Sequence, residues 1–317
     1  MDAFTQYGLI VAEEALQDSG IDLNKIDKNK FGVIWGSGVG GIETFQNEII
    51  NFSENNKNPR FNPFFIPKLI TDICPGLISI KYGLKGPNFA TVSACASASN
   101  AIIDSYNYIK LGTSDIIITG GSEAAVNEAG VGGFNALKAL SERNDSPETA
   151  SRPFDKERDG FVLGEGGGGL ILENYDHAIK RNAKIYAEII GFGMSSDAHH
   201  ITAPHPNGEG ARLAMNNAIN NANIKKEEID YINVHGTSTP LGDKSEIFAI
   251  ENVFNEHAYN INISSTKSMT GHLLGAAGAI ESIASIISIN EGFIPPTINH
   301  FNYDEEFSPK LNLTLNK

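Results

Sequence analysis

The chain has 317 residues, 41% of them apolar, with 24 Lys and Arg against 38 Asp and Glu, a net charge of −14. That length buries a large core and accommodates two halves of roughly 150 residues, while the acid excess argues against broad nucleic-acid binding, which draws on clustered Lys and Arg. Two cysteines supply no disulfide framework, and the start Met1-Asp2-Ala3-Phe4-Thr5-Gln6 lacks the basic and apolar regions of a leader. With no run near the about 18 apolar residues of a membrane span, the expectation is a cytoplasmic protein with no membrane contact.

Short β-branched runs alternate with helical ones along the chain. The pattern predicts a strand over 31–35, helices over 42–50 and 95–110, and a strand over 115–119. A second series follows, with a strand over 185–190, a helix over 211–222, a strand over 231–234 and a helix over 244–254. Such alternation predicts an α/β protein with buried sheets. The charged helical run 174–182, ending at a new strand, sets an internal boundary near residue 180, with halves 1–180 and 181–317. Gly112, Gly120-Gly121, Gly130, Gly132-Gly133 and the run 164–169 read mostly as turns, bulges and close backbone approaches.

Gly36-Ser37-Gly38-Val39-Gly40-Gly41 follows an apolar strand, precedes a helix, and has the glycine spacing of a dinucleotide-binding turn. The context fails: no second strand ends in an acidic residue about 20 positions on, where such a unit holds the ribose hydroxyl. The chain instead runs into Asn55-Asn56-Lys57-Asn58-Pro59-Arg60. A tight strand-to-helix turn is the expectation, and the same is expected of 164–169, which has no Lys-Ser/Thr for phosphate.

Cys95 follows the β-prone run Phe89-Ala90-Thr91-Val92 and opens a helical pattern. A thiol at a helix N-terminus feels the unpaired amides, which favours thiolate and lowers the pKa from about 8.5. Cys74, among Leu69, Ile70, Ile73, Leu77 and Ile78, reads as a buried core thiol. His235 closes the strand Asp230-Tyr231-Ile232-Asn233-Val234, a rigid place from which to hang a donor or base. His272 precedes a helical pattern that starts at Leu273, where the dipole disfavours added positive charge and keeps the imidazole a neutral N–H donor. The other six histidines read as structural or solvated, and no His/Cys spacing matches a metal site.

Four blocks in order carry a resemblance: Ser93-Ala94-Cys95-Ala96-Ser97; Arg152-Pro153-Phe154-Asp155 with Arg158-Asp159-Gly160-Phe161-Val162-Leu163-Gly164-Glu165-Gly166; Asn233-Val234-His235-Gly236-Thr237-Ser238-Thr239-Pro240; and Ser265-Thr266-Lys267-Ser268-Met269-Thr270-Gly271-His272. The chain resembles the type II β-ketoacyl-acyl-carrier-protein synthases, condensing enzymes of the thiolase superfamily. Thiolases use a second, late cysteine, and none follows Cys95; type III synthases have Cys-His-Asn, and chain-length factors lose the nucleophile. Modular polyketide ketosynthases share the Cys-His-His set, but the wording of the two histidine blocks is closer to the stand-alone fatty-acid enzyme.

The resemblance implies a thiolase-like fold of two similar halves, with mixed sheets layered between helices. It implies that Cys95 takes an acyl group from acyl carrier protein. Malonyl-carrier protein then loses carbon dioxide and its enolate attacks the acyl-Cys95 thioester, giving a 3-oxoacyl product. His235 and His272 would stabilise the enolate oxygen, and Lys267 would set the electrostatics of the site or form a salt bridge with Glu281. Thr237 and Thr239 match positions that hydrogen-bond the phosphopantetheine arm, which the carrier delivers; no other cofactor is implied. Lys138, Lys68 and Arg60 are candidate carrier contacts, and a homodimer pairing the strand before Cys95 across a two-fold axis is implied. Relatives begin ahead of the equivalent of Met1 and end in a Gly-Phe-Gly-Gly type loop beyond Lys317, so the chain reads as truncated at both ends. That tail carries a Phe whose amide joins that of Cys95 in the oxyanion hole. The competing classes are a partner-binding remnant without turnover and a cysteine hydrolase independent of malonyl donors.

Overall fold

The computed structural model describes residues 1–316. The chain divides into two compact units, each built from three segments: 1–133, 163–186 and 273–283 in the first, 134–162, 187–272 and 284–317 in the second. The sequence halves 1–180 and 181–317 are a single cut, whereas the compact units exchange segments. Among the described residues, no helix is long and apolar enough to cross a membrane.

Unit 1 is a four-stranded sheet covered on both faces. Its elements in chain order are α1 (Ala3–Asp18), β1 (Phe31–Gly36), α2 (Ile42–Glu54), α3 (Ile73–Tyr82), β2 (Asn88–Thr91), α4 (Ser97–Lys110), β3 (Ile116–Glu123) and β4 (Gly166–Glu173). The strand order is β2-β1-β3-β4, with β1 parallel to β2 and β3 and β4 antiparallel to β3. Both β1 and β3 are buried throughout, and β1 and the first half of β3 are correspondingly apolar. Their two-residue period splits the core: Phe31, Val33, Trp35, Ile116 and Ile118 join α1 and α3 on one side, while Ile34 and Ile117 meet Ala101 of α4 on the other. On α1 the buried Phe4, Gly8, Ala12 and Leu16 recur every four residues, one stripe of a helix. The buried Trp35 indole donates to Ser122 Oγ at 2.9 Å, so its N–H costs nothing in desolvation.

The glycine run overturns one expectation. Gly166 to Gly169 form no turn; they open β4 and pair with Glu123 to Gly120. Small size explains it, because a Cβ on Gly169 would lie 2.6 Å from the Val11 carbonyl oxygen of α1 and one on Gly168 3.1 Å from Ala279 Cβ. Gly130, Gly132 and Gly133 also depart from the turn reading and lie in the helix Glu128–Ala136. The strand expected over 185–190 is absent from the described residues. A β-branched run needs a partner ladder, and no described residue pairs with this one.

Unit 2 contains α5 (Glu209–Ala222), β5 (Tyr231–Asn233), α6 (Pro240–Phe254) and β6 (Asn262–Ser264), with β5 and β6 parallel. Ile247, Ile250 and Phe254 of α6 face a core with Val234, Ile263, Phe154 and Phe307. Beside it lies a buried ionic knot. Arg158 donates to Asp304 at 2.6 Å and to the Pro240 carbonyl at 3.1 Å, sits 3.7 Å from Asp243, and stacks over Phe307.

Gly120 has φ of +141°, and a Cβ there would lie 2.1 Å from the Gly168 carbonyl oxygen. Gly120→Ala is therefore expected to lower stability by about 2–3 kcal/mol in urea unfolding. Gly132 lies in a helix with open space around it. Gly132→Ala should raise stability by about 0.5–1 kcal/mol, and equal midpoints for the two variants would refute this account of the glycine-lined strands.

Candidate active site

Cys95 belongs to unit 1 and stands on an elbow between β2 and α4. Ala94 just before it has φ of +50°, a left-handed value that an alanine adopts only when its surroundings impose it. The surroundings are a closed set of hydrogen bonds. Ser97 Oγ accepts from Ser93 N–H at 3.0 Å and donates to the Ala94 carbonyl at 2.7 Å, while Thr91 Oγ1 donates to the Ser97 carbonyl at 2.7 Å. Cys95 itself lies in a short 3-10 turn, Ala94–Ala96, that leads directly into α4, the helix-start position its sequence context predicts. Its surface is partly open to solvent, whereas Cys74 is buried and its thiol is pushed up to about 12 by desolvation. Only Cys95 has the access a nucleophile requires.

The two histidines belong to unit 2 and meet there. His235 extends the end of β5, where Val234 N–H still bonds the Ser264 carbonyl. His272 is fixed through its own N–H to the Val162 carbonyl at 2.7 Å and edge-on against Phe161. The imidazole centroids are 5.1 Å apart at 89°. Burial first, then the positive charge of Lys267, lowers His272 to about 3. His235 is also held well below the ordinary histidine range, by the surrounding protein and then by Lys267 and His272. His235 is exposed as a residue, whereas His272 is 2% exposed. Both rings are neutral at pH 7. His272 stands just ahead of the 3-10 turn Leu274–Ala276, which leads into the helix Ala277–Glu291.

Lys267 is 2% exposed, and its carbonyl is pinned by Ser151 Oγ at 2.7 Å. Thr237 and Thr239 place their hydroxyls 3.0 Å apart at the mouth of α6. Glu281 lies in unit 1, on the helix Ala277–Glu291. Lys138 and Arg60 are exposed and Lys68 is half-buried.

Three carboxylates that motif reading passed over shape these elements. Glu246 accepts the backbone N–H groups of His235 at 2.7 Å and Gly236 at 2.8 Å; burial pushes it up to about 7 against those bonds. Asp243 accepts from Phe154 N–H at 2.9 Å and Ser238 N–H at 3.2 Å, and burial pushes it up to about 6. Both are in the first turns of α6, directly after Pro240 at its start. Acidic residues just inside a helix start, behind a Gly-rich turn, are a readable signal for carboxylates that bind loop amides. The third, Glu123, ends β3 in unit 1 and is completely buried.

Two family models match the chain in order: the beta-ketoacyl synthase N-terminal domain over residues 1–178 and the beta-ketoacyl synthase C-terminal domain over residues 186–301. A 3-oxoacyl-[acyl-carrier-protein] synthase 2 of Staphylococcus aureus is 50% identical over 307 residues, 96% of this chain and 75% of that protein. The Coxiella burnetii protein of the same name is 48% identical over 304 residues, 96% of this chain and 73% of its own length. Among solved structures, a beta-ketoacyl synthase from Burkholderia phymatum superposes with a TM-score of 0.90 at 34% identity, covering 99% of this chain and 75% of that one. A type II polyketide synthase complex, an acyl-carrier protein with its ketosynthase bound to the hexaketide, gives 0.90 at 33% identity, covering 99% and 78%. The chain thus spans about three quarters of the length of these relatives. An elbow cysteine, a pair of neutral histidines and both family models matched in chain order lead to one conclusion: this chain belongs to the beta-ketoacyl synthase family and has its thiolase-like α/β fold.

Proposed function

We propose that the chain catalyses decarboxylative condensation of an acyl group with malonyl-acyl carrier protein, elongating fatty acids as a 3-oxoacyl-acyl-carrier-protein synthase. The observation that carries the reading is the pair of neutral imidazoles, His235 and His272, with the buried Lys267 acting on both. Cys95 Sγ attacks the acyl thioester, its new C–S bond replaces that to the phosphopantetheine sulfur, and the thiol leaves with a proton. Malonyl thioester then loses carbon dioxide, and the electron pair of the broken C–C bond becomes an enolate. Two N–H donors suit the charge that develops on the enolate oxygen. The enolate carbon attacks acyl-Cys95, the C–S bond to Cys95 breaks, and the product leaves on the carrier. A protonated imidazole would carry a charge that Lys267 opposes, so lysine and histidines together favour the neutral donor form.

Cys95, His235, His272 and Lys267 are the proposed catalytic set, Thr237 and Thr239 take the pantetheine arm, and Glu281 supports Lys267. In this reading residues 1–180 supply the nucleophile and 181–317 the histidines. The proposed partner is acyl carrier protein, acidic and met locally at Lys138, Lys68 and Arg60, in a cytoplasmic homodimer joined along β2. Polyketide extension is the second reading, favoured by the type II ketosynthase complex among the structural relatives. It predicts products extended repeatedly without reduction, read by mass spectrometry of carrier-bound chains.

Incubation with radiolabelled acyl-acyl carrier protein should label the chain and leave Cys95→Ala unlabelled. No label on the wild type would overturn the reading. His272→Ala should cut malonyl-carrier decarboxylation by about 100- to 1000-fold while Cys95 still accepts the label; equal loss of both steps would remove the assigned division of labour. Imidazole 15N shifts should show His272 neutral down to pH 5. A histidine lowered to about 3 in the fold, against 6.5 in the unfolded chain, contributes stability that is present above pH 6.5 and lost as pH falls toward 3.

A further inference from the structure

We infer that Glu123 is a positioning residue for the Cys95 elbow, acting through backbone groups and touching neither substrate nor thiol; the inference rests on Cys95 being the nucleophile. Its completely buried carboxylate accepts five donors: Ser37 Oγ at 3.0 Å and the backbone N–H groups of Gly38 at 2.6 Å, Val39 at 3.1 Å, Gly40 at 3.1 Å and Gly275 at 3.0 Å. A carboxylate removed from water needs such a set of donors, and successive amides in a turn form a concave site for an acceptor. The acceptor in this Gly-rich turn is the protein's own side chain, which keeps those amides occupied and closed to a nucleotide phosphate.

The donors stand directly behind the elbow. A Cβ on Gly38 would lie 2.9 Å from Glu123 Oε2 and 3.3 Å from the Ala94 carbonyl oxygen. One on Gly275 would lie 2.2 Å from Gly38 N and 2.6 Å from Glu123 Oε2. Ser37 N–H bonds the Thr91 carbonyl at 3.3 Å, and Thr91 Oγ1 in turn bonds Ser97, the residue that closes the elbow. Ala94 therefore holds its left-handed φ of +50° against a wall that one carboxylate locks. Glutamine at 123 would keep the shape but turn an NH2 donor toward amide donors. The wall would loosen and the elbow would lose its support, moving Cys95 off the geometry of attack.

The test reads Cys95 itself. Iodoacetamide alkylation of the full chain, followed by peptide mass spectrometry across pH 6 to 9, reports Cys95 because Cys74 is buried with its thiol raised to about 12. Glu123→Gln should slow Cys95 alkylation roughly 10-fold with a shifted pH midpoint, and Glu123→Asp should recover part of it. Wild-type rate and midpoint in Glu123→Gln, with only a lowered Tm, would show a purely structural residue and overturn the inference. If Glu123→Gln does not fold, Ser37→Ala removes one donor and takes its place. Slowing of about threefold supports positioning, and an unchanged profile overturns it. A wild type that takes no acyl label while Glu123→Gln alters alkylation removes the condensing function and leaves the positioning role standing.

Discussion

A carboxylate inside a protein has to find donors, and where Glu123 finds them organises unit 1. It ends β3 beneath the turn that leaves β1, so the register Gly36↔Gly121 between those strands must hold for the Ser37–Gly40 donors to reach it. Bringing backbone that close excludes side chains at Gly38 and Gly275, and it forces the β2–α4 connection over the same spot. Sheet, turn and Cys95 elbow share one hydrogen-bonding centre. The unfavourable burial of the carboxylate is offset there by the turn amides ahead of α2, with Ser37 Oγ and the Gly275 amide.

Unit 2 solves a related problem with the opposite sign. Lys267 is a buried cation, and the two histidines near its field are kept neutral. Asp243 and Glu246, reaching back from the first turns of α6, hold the backbone of the turn that carries His235, Thr237 and Thr239. Their burial raises both, to about 6 and about 7, so the stability they contribute is full below their unfolded values of 3.8 and 4.5 and falls as pH rises through the folded ones. His272 pulls the other way, losing stability on acidification. The two halves of this balance act within one unit, and each is a consequence of excluding water from those side chains.

Much of this was legible before any fold was known. The runs at 31–35 and 115–119 were readable as strands of a buried sheet because both are rich in apolar, β-prone residues and both faces are covered. The helix expected over 95–110 begins at Ser97, and the one expected over 244–254 begins four residues earlier, at Pro240, because proline is favoured in a helix's first turn. The strand-to-helix turn expected at Gly36–Gly41 joins β1 to α2. The run at 185–190 misled because β propensity describes a residue's fit to a ladder and says nothing of whether a partner strand is present. The glycines at 166–169 misled for the converse reason: their composition marks a turn, and only the closeness of α1 makes them a strand.

The sequence by itself determined the chemistry on offer: one accessible thiol at a helix start, two histidines in Gly-rich turns, a lysine, and the family wording around each. Local motifs encode these because each depends on a few adjacent residues. Tertiary structure decided what surrounds each of them. Glu123, Asp243, Glu246 and Lys267 are ordinary acids and a base in the chain; their surroundings are set by water excluded and partners supplied from segments up to 152 positions away, as with Glu123 and Gly275. Solvation and long-range hydrogen bonding leave no local signature, and so the pKa values and the strained elbow exist only in the fold.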